Sequence, residues 1–162
     1  MKKKLYYGAL SINHIHESAE KAVRVFGGMK EHVALLLGTC CTETDFCTFD
    51  DIHPDKWGVS CVQFDKVRFE DVQRRTRGHN RRKFYEAYHI ELRDLMLKDI
   101  ARNPELAFAM CRLAYILIPE KIPTTVSKQA IYWKKYWNTF HPNAKGSTAS
   151  YLNDWRHFYT KT

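Results

Sequence analysis

Between Asn103 and Pro119 the chain carries a helix with both ends marked, and most of its residues are apolar. Asn103 suits the N-cap, Pro104 the first helical position and Glu105 the positive end of the dipole. Leu106 to Leu117 then runs without an acid, and Pro119 forbids continuation. Such a helix cannot face water on any side, so other elements must surround it. Their patterns are helical too. Ala19, Ala22, Val23 and Phe26 recur at i, i+3, i+4 and i+7 in a helix over 17–26, which Gly27-Gly28 stops. A second, more apolar helix covers 29–42. Residues 66–75 give a helical turn or two, and residues 84–102 keep the three-and-four spacing through Phe84, Tyr88, Leu92, Leu95, Met96 and Ile100. A densely aromatic helix covers 127–139, and Ser147 caps a last one through Tyr159. Only "WGVSCVQFD", 57–65, has room for a short hairpin. The expectation is a mainly α, compact single domain over 1–162, with at most a small β-hairpin and residues 1–15 left as an N-terminal extension.

With 44% hydrophobic and 14% aromatic residues, a disordered chain is excluded. The longest apolar stretches are too short to span a bilayer. Three lysines open the sequence, but the apolar patch after them is brief, and it is read as no secretory leader. The net charge is +8, and residues 74–83 hold six basic residues and no acid. This segment reads either as a solvated loop or as a contact for a polyanion: nucleic acid, or an anionic bacterial envelope. No helix-turn-helix, zinc-finger or RNP-type pattern favours nucleic acid. The five cysteines form no disulfide framework and no CxxC pair. Cys40, Cys47 and Cys61 with His53 make one conceivable zinc set. The reading preferred is small apolar side chains packed among helices, with no metal or cofactor. The histidines, His14 and His16 included, show no metal spacing.

The second helix delivers Glu43 to its C-terminal end. There the dipole and the apolar neighbours both disfavour the carboxylate, which is the condition a general acid needs at neutral pH. A proton-bearing carboxyl beside a glycosidic oxygen assists cleavage of the sugar bond. Asp45, Asp50, Asp51 and Asp65 are candidates for a second carboxylate, and spacing does not choose among them. Asp45, two residues on, reads as a loop acid or cap. In "YWKKYWNTF", Trp133, Trp137 and Phe140 form a core stripe. Tyr132 and Tyr136 form a neighbouring one suited to a sugar groove, with Tyr115 a further tyrosine of that type.

"LLLGTCCTET", a loop and then "WGVSCVQFD" resemble the core signature of the lysozyme-like superfamily, in its soluble lytic transglycosylase and goose-type lysozyme branch. Glu43 takes the Glu position, Thr44 stands where Ser is usual, and Gln63 takes the Gln position. Ser60 departs from the pattern, standing where glycine is expected. Arg112-Leu113-Ala114-Tyr115, Ile122-Pro123, Tyr132 to Thr139 and Ala144-Lys145-Gly146-Ser147 resemble the C-terminal part of small phage lysozyme-like proteins. The resemblance covers roughly 30–159. It implies a peptidoglycan-cleaving enzyme acting on the β-1,4 bond between N-acetylmuramic acid and N-acetylglucosamine, without cofactor or metal. Glu43 would be the acid and base; Thr44, Gln63, Tyr115, Tyr132 and Tyr136 would meet the sugar. An endolysin or a lysozyme of a phage tail would meet peptidoglycan, and in the second case other virion proteins. Two other readings remain: a catalytically inactive, wall-binding part of a particle, and a basic nucleic-acid-binding module.

Overall fold

The computed structural model describes residues 4–50, 58–139 and 146–159, the side chains of the last two excepted. Among them the chain forms eight helices: α1 (Ile12–Phe26), α2 (Lys30–Thr44), α3 (Lys66–Arg75), α4 (Gly78–Tyr88), α5 (Leu97–Ile100), α6 (Pro104–Ile116), α7 (Val126–Tyr136) and α8 (Thr148–Tyr159). The hairpin reduces to one antiparallel bridge between Val59 and Phe64. The mainly α class holds.

The marked helix is the axis. Asn103 Oδ1 accepts the Leu106 N–H at 3.2 Å, and every residue from Leu106 to Tyr115 is buried. α1, α2, α3 and α5 pack around α6, while α8 lies across α2 and α7. The contact of α2 with α8 depends on Gly38: a Cβ there would lie 1.9 Å from the Tyr151 hydroxyl oxygen. The α1 face at Ala19, Ala22, Val23 and Phe26 is buried as its spacing requires. The helix starts five residues earlier than the apolar pattern, at Ile12. Ser11 accepts the His14 N–H at 3.0 Å, and His14 Nδ1 accepts the Leu10 N–H at 3.2 Å. Residues 4–15 are therefore no loose extension. Tyr6 donates its N–H to Cys47 O at 2.8 Å, and Ile15 is wholly buried.

The single helix expected over 84–102 is not there. α4 stops at Tyr88 because His89 turns left-handed, with φ 57°. The chain then dips through turns, and Gln73 Nε2 donates to the carbonyls of Leu92 (2.8 Å) and Leu95 (2.7 Å). Leu92, Leu95 and Ile100 are buried, so the apolar spacing is real but is met by an irregular segment. The basic segment 74–83 is likewise no loop. It spans the end of α3, a corner and the start of α4. Arg81 caps that corner, with Nε donating to Thr76 O at 2.6 Å and Nη2 to Gln73 O. Arg74 and Arg75 both pair with Asp71. No helix among the described residues is long and apolar enough to cross a membrane.

Candidate active site

Glu43 sits in the last turn of α2, one residue before its end. The chain then reverses sharply: Asp45, Phe46 and Cys47 are all left-handed, with φ of 46°, 51° and 65°. Thr44 holds the reversal together. Its Oγ1 accepts the Cys47 N–H at 3.2 Å and lies 2.8 Å from Cys61 O and 3.1 Å from Cys40 O, so that its one proton bridges toward two carbonyls. The end of α2 is thereby tied to the segment 58–64.

That segment is a tight turn. Val59 and Phe64 exchange backbone hydrogen bonds at 2.8 and 2.7 Å. Ser60 has φ 76° and Gln63 φ 51°. The left-handed backbone at 60 is what makes glycine the natural residue there, and Ser60 adopts it at a conformational cost. Gly58 lacks a Cβ because one would meet Gln63 Oε1 at 2.5 Å. Gln63 Nε2 donates to Ser60 O at 2.9 Å and to the Tyr7 hydroxyl at 3.4 Å.

Glu43 is half-buried as a residue, but protein surrounds its carboxyl closely, and burial raises its pKa from 4.5 to about 7. Four groups oppose that shift: the Arg68 guanidinium foremost, then the Trp133 indole N–H, the Asn138 amide and the Lys134 ammonium. Each is placed by the fold. Arg68 stacks on the Trp137 ring at 4.2 Å and donates Nη2 to the carbonyls of Trp137 (2.7 Å) and Tyr136 (3.3 Å). Trp133 is fully buried, and its Nε1 lies close enough to act on the carboxyl but makes no hydrogen bond of normal geometry among the described residues. Lys134 Nζ donates to Asn138 Oδ1 at 2.8 Å, leaving the amide's NH₂ for Glu43. Gly146 makes room, since a Cβ there would lie 2.5 Å from the Trp133 ring and 2.9 Å from Asn138 Nδ2.

The charges acting on Glu43 are thus cationic. Of the candidate second acids, Asp45 and Asp65 are engaged at helix ends, and the Asp65 carboxylate lies 3.8 Å from the same Arg68 guanidinium. Asp45 is exposed, accepts the Thr48 hydroxyl at 2.7 Å and faces Asp154 on α8. Asp65 is the N-cap of α3, accepting the Arg68 N–H at 2.7 Å. Asp51 and His53 lie outside the described residues, as does Phe140.

The three tyrosines expected to meet sugar pack on one another, with the Tyr132 ring 4.7 Å from that of Tyr136 and 6.0 Å from that of Tyr115, while Thr44 and Gln63 belong to the two turns beside Glu43. Thr44 is buried, and its hydroxyl is engaged with backbone. Tyr115 is also buried, its hydroxyl 2.8 Å from that of Thr39. Tyr132 is buried and donates to Glu120 O at 3.0 Å. Tyr136 is partly exposed and donates to the Glu120 carboxylate. Beside the site, Arg68, Val72, Ala114, Leu117, Tyr136 and Trp137 line a groove of about 600 Å³. Glu43 is not in its wall; Arg68 serves both. Nothing in the sequence pattern marks Arg68, Lys134 or Asn138 as neighbours of Glu43, and the aromatic stripe marks Trp133 only as core. Gly146 belongs to the C-terminal pattern, and its role is steric.

Comparisons with protein-family models, with curated proteins and with solved structures found no match to this chain.

Proposed function

We propose that the chain cleaves peptidoglycan at the N-acetylmuramic acid–N-acetylglucosamine β-1,4 bond, with Glu43 as the single general acid and base. The observation that carries this reading is a carboxyl at a helix end whose pKa burial raises to about 7, beside an indole N–H, an amide and two cations. In its neutral form Glu43 donates its proton to the glycosidic oxygen as the bond to the sugar breaks. The carboxylate left behind is stabilised by Arg68 and Lys134 at the moment it forms. It then takes a proton either from the muramic 6-hydroxyl, closing a 1,6-anhydro ring, or from water. The first route needs no second carboxyl, whereas a hydrolase of the ordinary two-acid kind uses one about 5–9.5 Å from the first. Gln63 stands on the neighbouring turn as a sugar-facing amide, and Tyr136 as the partly exposed aromatic.

A second reading is a wall-binding part without activity, in a phage particle. It is favoured by the burial of Thr44, Tyr115 and Tyr132, which leaves Gln63 and Tyr136 alone to recognise sugar. One experiment separates the two. Purified peptidoglycan is digested with the wild type and with Glu43→Gln, and soluble products are weighed by mass spectrometry. The enzymatic reading requires products from the wild type alone, with anhydro ends one water lighter than hydrolysed ones. Equal release by both proteins, or none by either, refutes it.

A further inference from the structure

Three thiols meet in the core beside the Glu43 turn, and they come from three different segments. Cys40 lies on α2, Cys47 in the left-handed reversal after it, and Cys61 in the turn 59–64. Their Sγ atoms all lie within 4.8 Å of one another, and all three residues are 0% exposed. Sequence spacing alone does not join them, since no two form a CxxC pair.

The backbone that brings them together is costly. Asp45, Phe46 and Cys47 on one side and Ser60 and Gln63 on the other are non-glycine residues in left-handed conformations. In each, the Cβ crowds the following carbonyl oxygen. Packing three small apolar side chains would not by itself call for that geometry, because a cysteine fills a gap from any direction. The geometry does suit a shared ligand. At a Zn–S length of about 2.3 Å, tetrahedral thiolates stand about 3.8 Å apart, so the trio needs to contract by about 1 Å at most. No histidine nitrogen or carboxylate oxygen among the described residues joins the cluster. Thr44 Oγ1, 3.8 Å from Cys40 Sγ, is already engaged with Cys47 N–H and two carbonyls, so the fourth position is left to water or another lighter donor.

We infer that Cys40, Cys47 and Cys61 form a structural site for a thiophilic divalent d¹⁰ cation of the zinc type. The ion replaces the three thiol protons, which leave to solvent, and no oxidant or reductant takes part. Its place in the fold gives it a purpose. Cys40 precedes Glu43 by three residues, Cys47 follows it by four, and Cys61 precedes Gln63 by two. One ion would therefore pin both turns that carry the candidate site, as the Thr44 hydroxyl does more weakly. Cys41 and Cys111, buried but outside the trio, take no part.

The test is zinc binding by the full chain, kept reduced, in competition with a chromophoric chelator. One zinc per chain is expected, with Cys47→Ala and Cys61→Ala weakened at least tenfold and Cys41→Ala and Cys111→Ala unchanged. If the trio variants fail to fold, X-ray absorption of the wild-type protein with zinc alone decides: a shell of three sulfurs and one lighter atom is required. Failure of the wild type to hold zinc overturns the inference. So does equal affinity in the Cys61 and Cys111 variants, or a shell with fewer sulfurs. Three titratable thiols instead of five in the denatured protein as isolated would mean a disulfide in place of a metal site, and would overturn it too.

Discussion

Glu43→Gln should stabilise the protein, and only in one pH range. The native carboxyl ionises at about 7, against 4.5 for an unhindered glutamate, chiefly because burial disfavours the charge. Between these values the native state holds a proton that the unfolded chain has released. Stability therefore falls as pH rises through this window. At about 1.4 kcal/mol per pH unit, the full cost of ionising Glu43 in place is about 3 kcal/mol. Glutamine has nearly the same shape and cannot ionise. Below pH 4.5 the two proteins should unfold at nearly the same urea concentration. From there the variant should gain steadily, reaching a plateau of about 3 kcal/mol above pH 7.5. The assay is urea unfolding of both proteins from pH 4 to 8.5, read by tryptophan fluorescence. Parallel stability curves across that range would refute the claim that Glu43 is held protonated. A difference that shrinks as pH rises would reverse its sign and imply that the cations dominate.

The same contacts set three further outcomes. Gly38→Ala places a methyl 1.9 Å from the Tyr151 hydroxyl oxygen, so the buried Tyr151 ring must shift or α2 and α8 must separate; a net loss of about 2–3 kcal/mol is expected, seen as a melting point lower by roughly 5–10 °C, with partial recovery in the Tyr151→Phe background. Ser60→Gly should act in the opposite direction, raising stability by about 0.5–1 kcal/mol in urea unfolding, because φ 76° costs serine what it does not cost glycine; a loss would mean that the Ser60 side chain outweighs its backbone. Arg68→Met removes the strongest influence holding the Glu43 pKa down. Under the proposed activity, the pH at which peptidoglycan release falls on the alkaline side should then move upward, and an unmoved alkaline limb would exclude Arg68 as a charge acting on Glu43.

Much of this fold is written locally. Asn103-Pro104 starts α6, Ser147 stands before α8, and the Ala19–Phe26 stripe faces inward, because capping and 3.6-residue periodicity are near-neighbour effects. Residues 84–102 mislead for an equally physical reason. Apolar spacing records which residues are buried, and Leu92 and Leu95 are buried by turns whose carbonyls are taken up by Gln73, nineteen or more positions away. The basic run misleads only in part: Arg74, Arg75, Arg77 and Arg82 are exposed as a solvated segment requires, but the run is helical at both ends and Arg81 closes its corner with backbone carbonyls.

The site divides along the same line. Glu43 is legible because its helix end and apolar run are contiguous. Its surroundings are not, because Arg68, Trp133 and Asn138 reach it from α3, α7 and the turn after α7, and their effects exist only once the helices are packed. The thiol trio is the sharper case. Its members are separated by seven and fourteen positions, a spacing that matches no local ligand pattern, and two left-handed turns bring them together. The cysteines themselves allow a zinc set with His53, but nothing local favours it over plain packing; Ser60, a side chain where the turn calls for glycine, is the other hint. Strain at 60 and at 45–47 flanks both Glu43 and the trio, so relief at one should be felt at the other. Zinc binding, if it pins these turns, should slow amide hydrogen exchange at the Cys47 and Phe64 N–H groups, and unchanged exchange there on zinc binding would separate the metal site from the candidate active site.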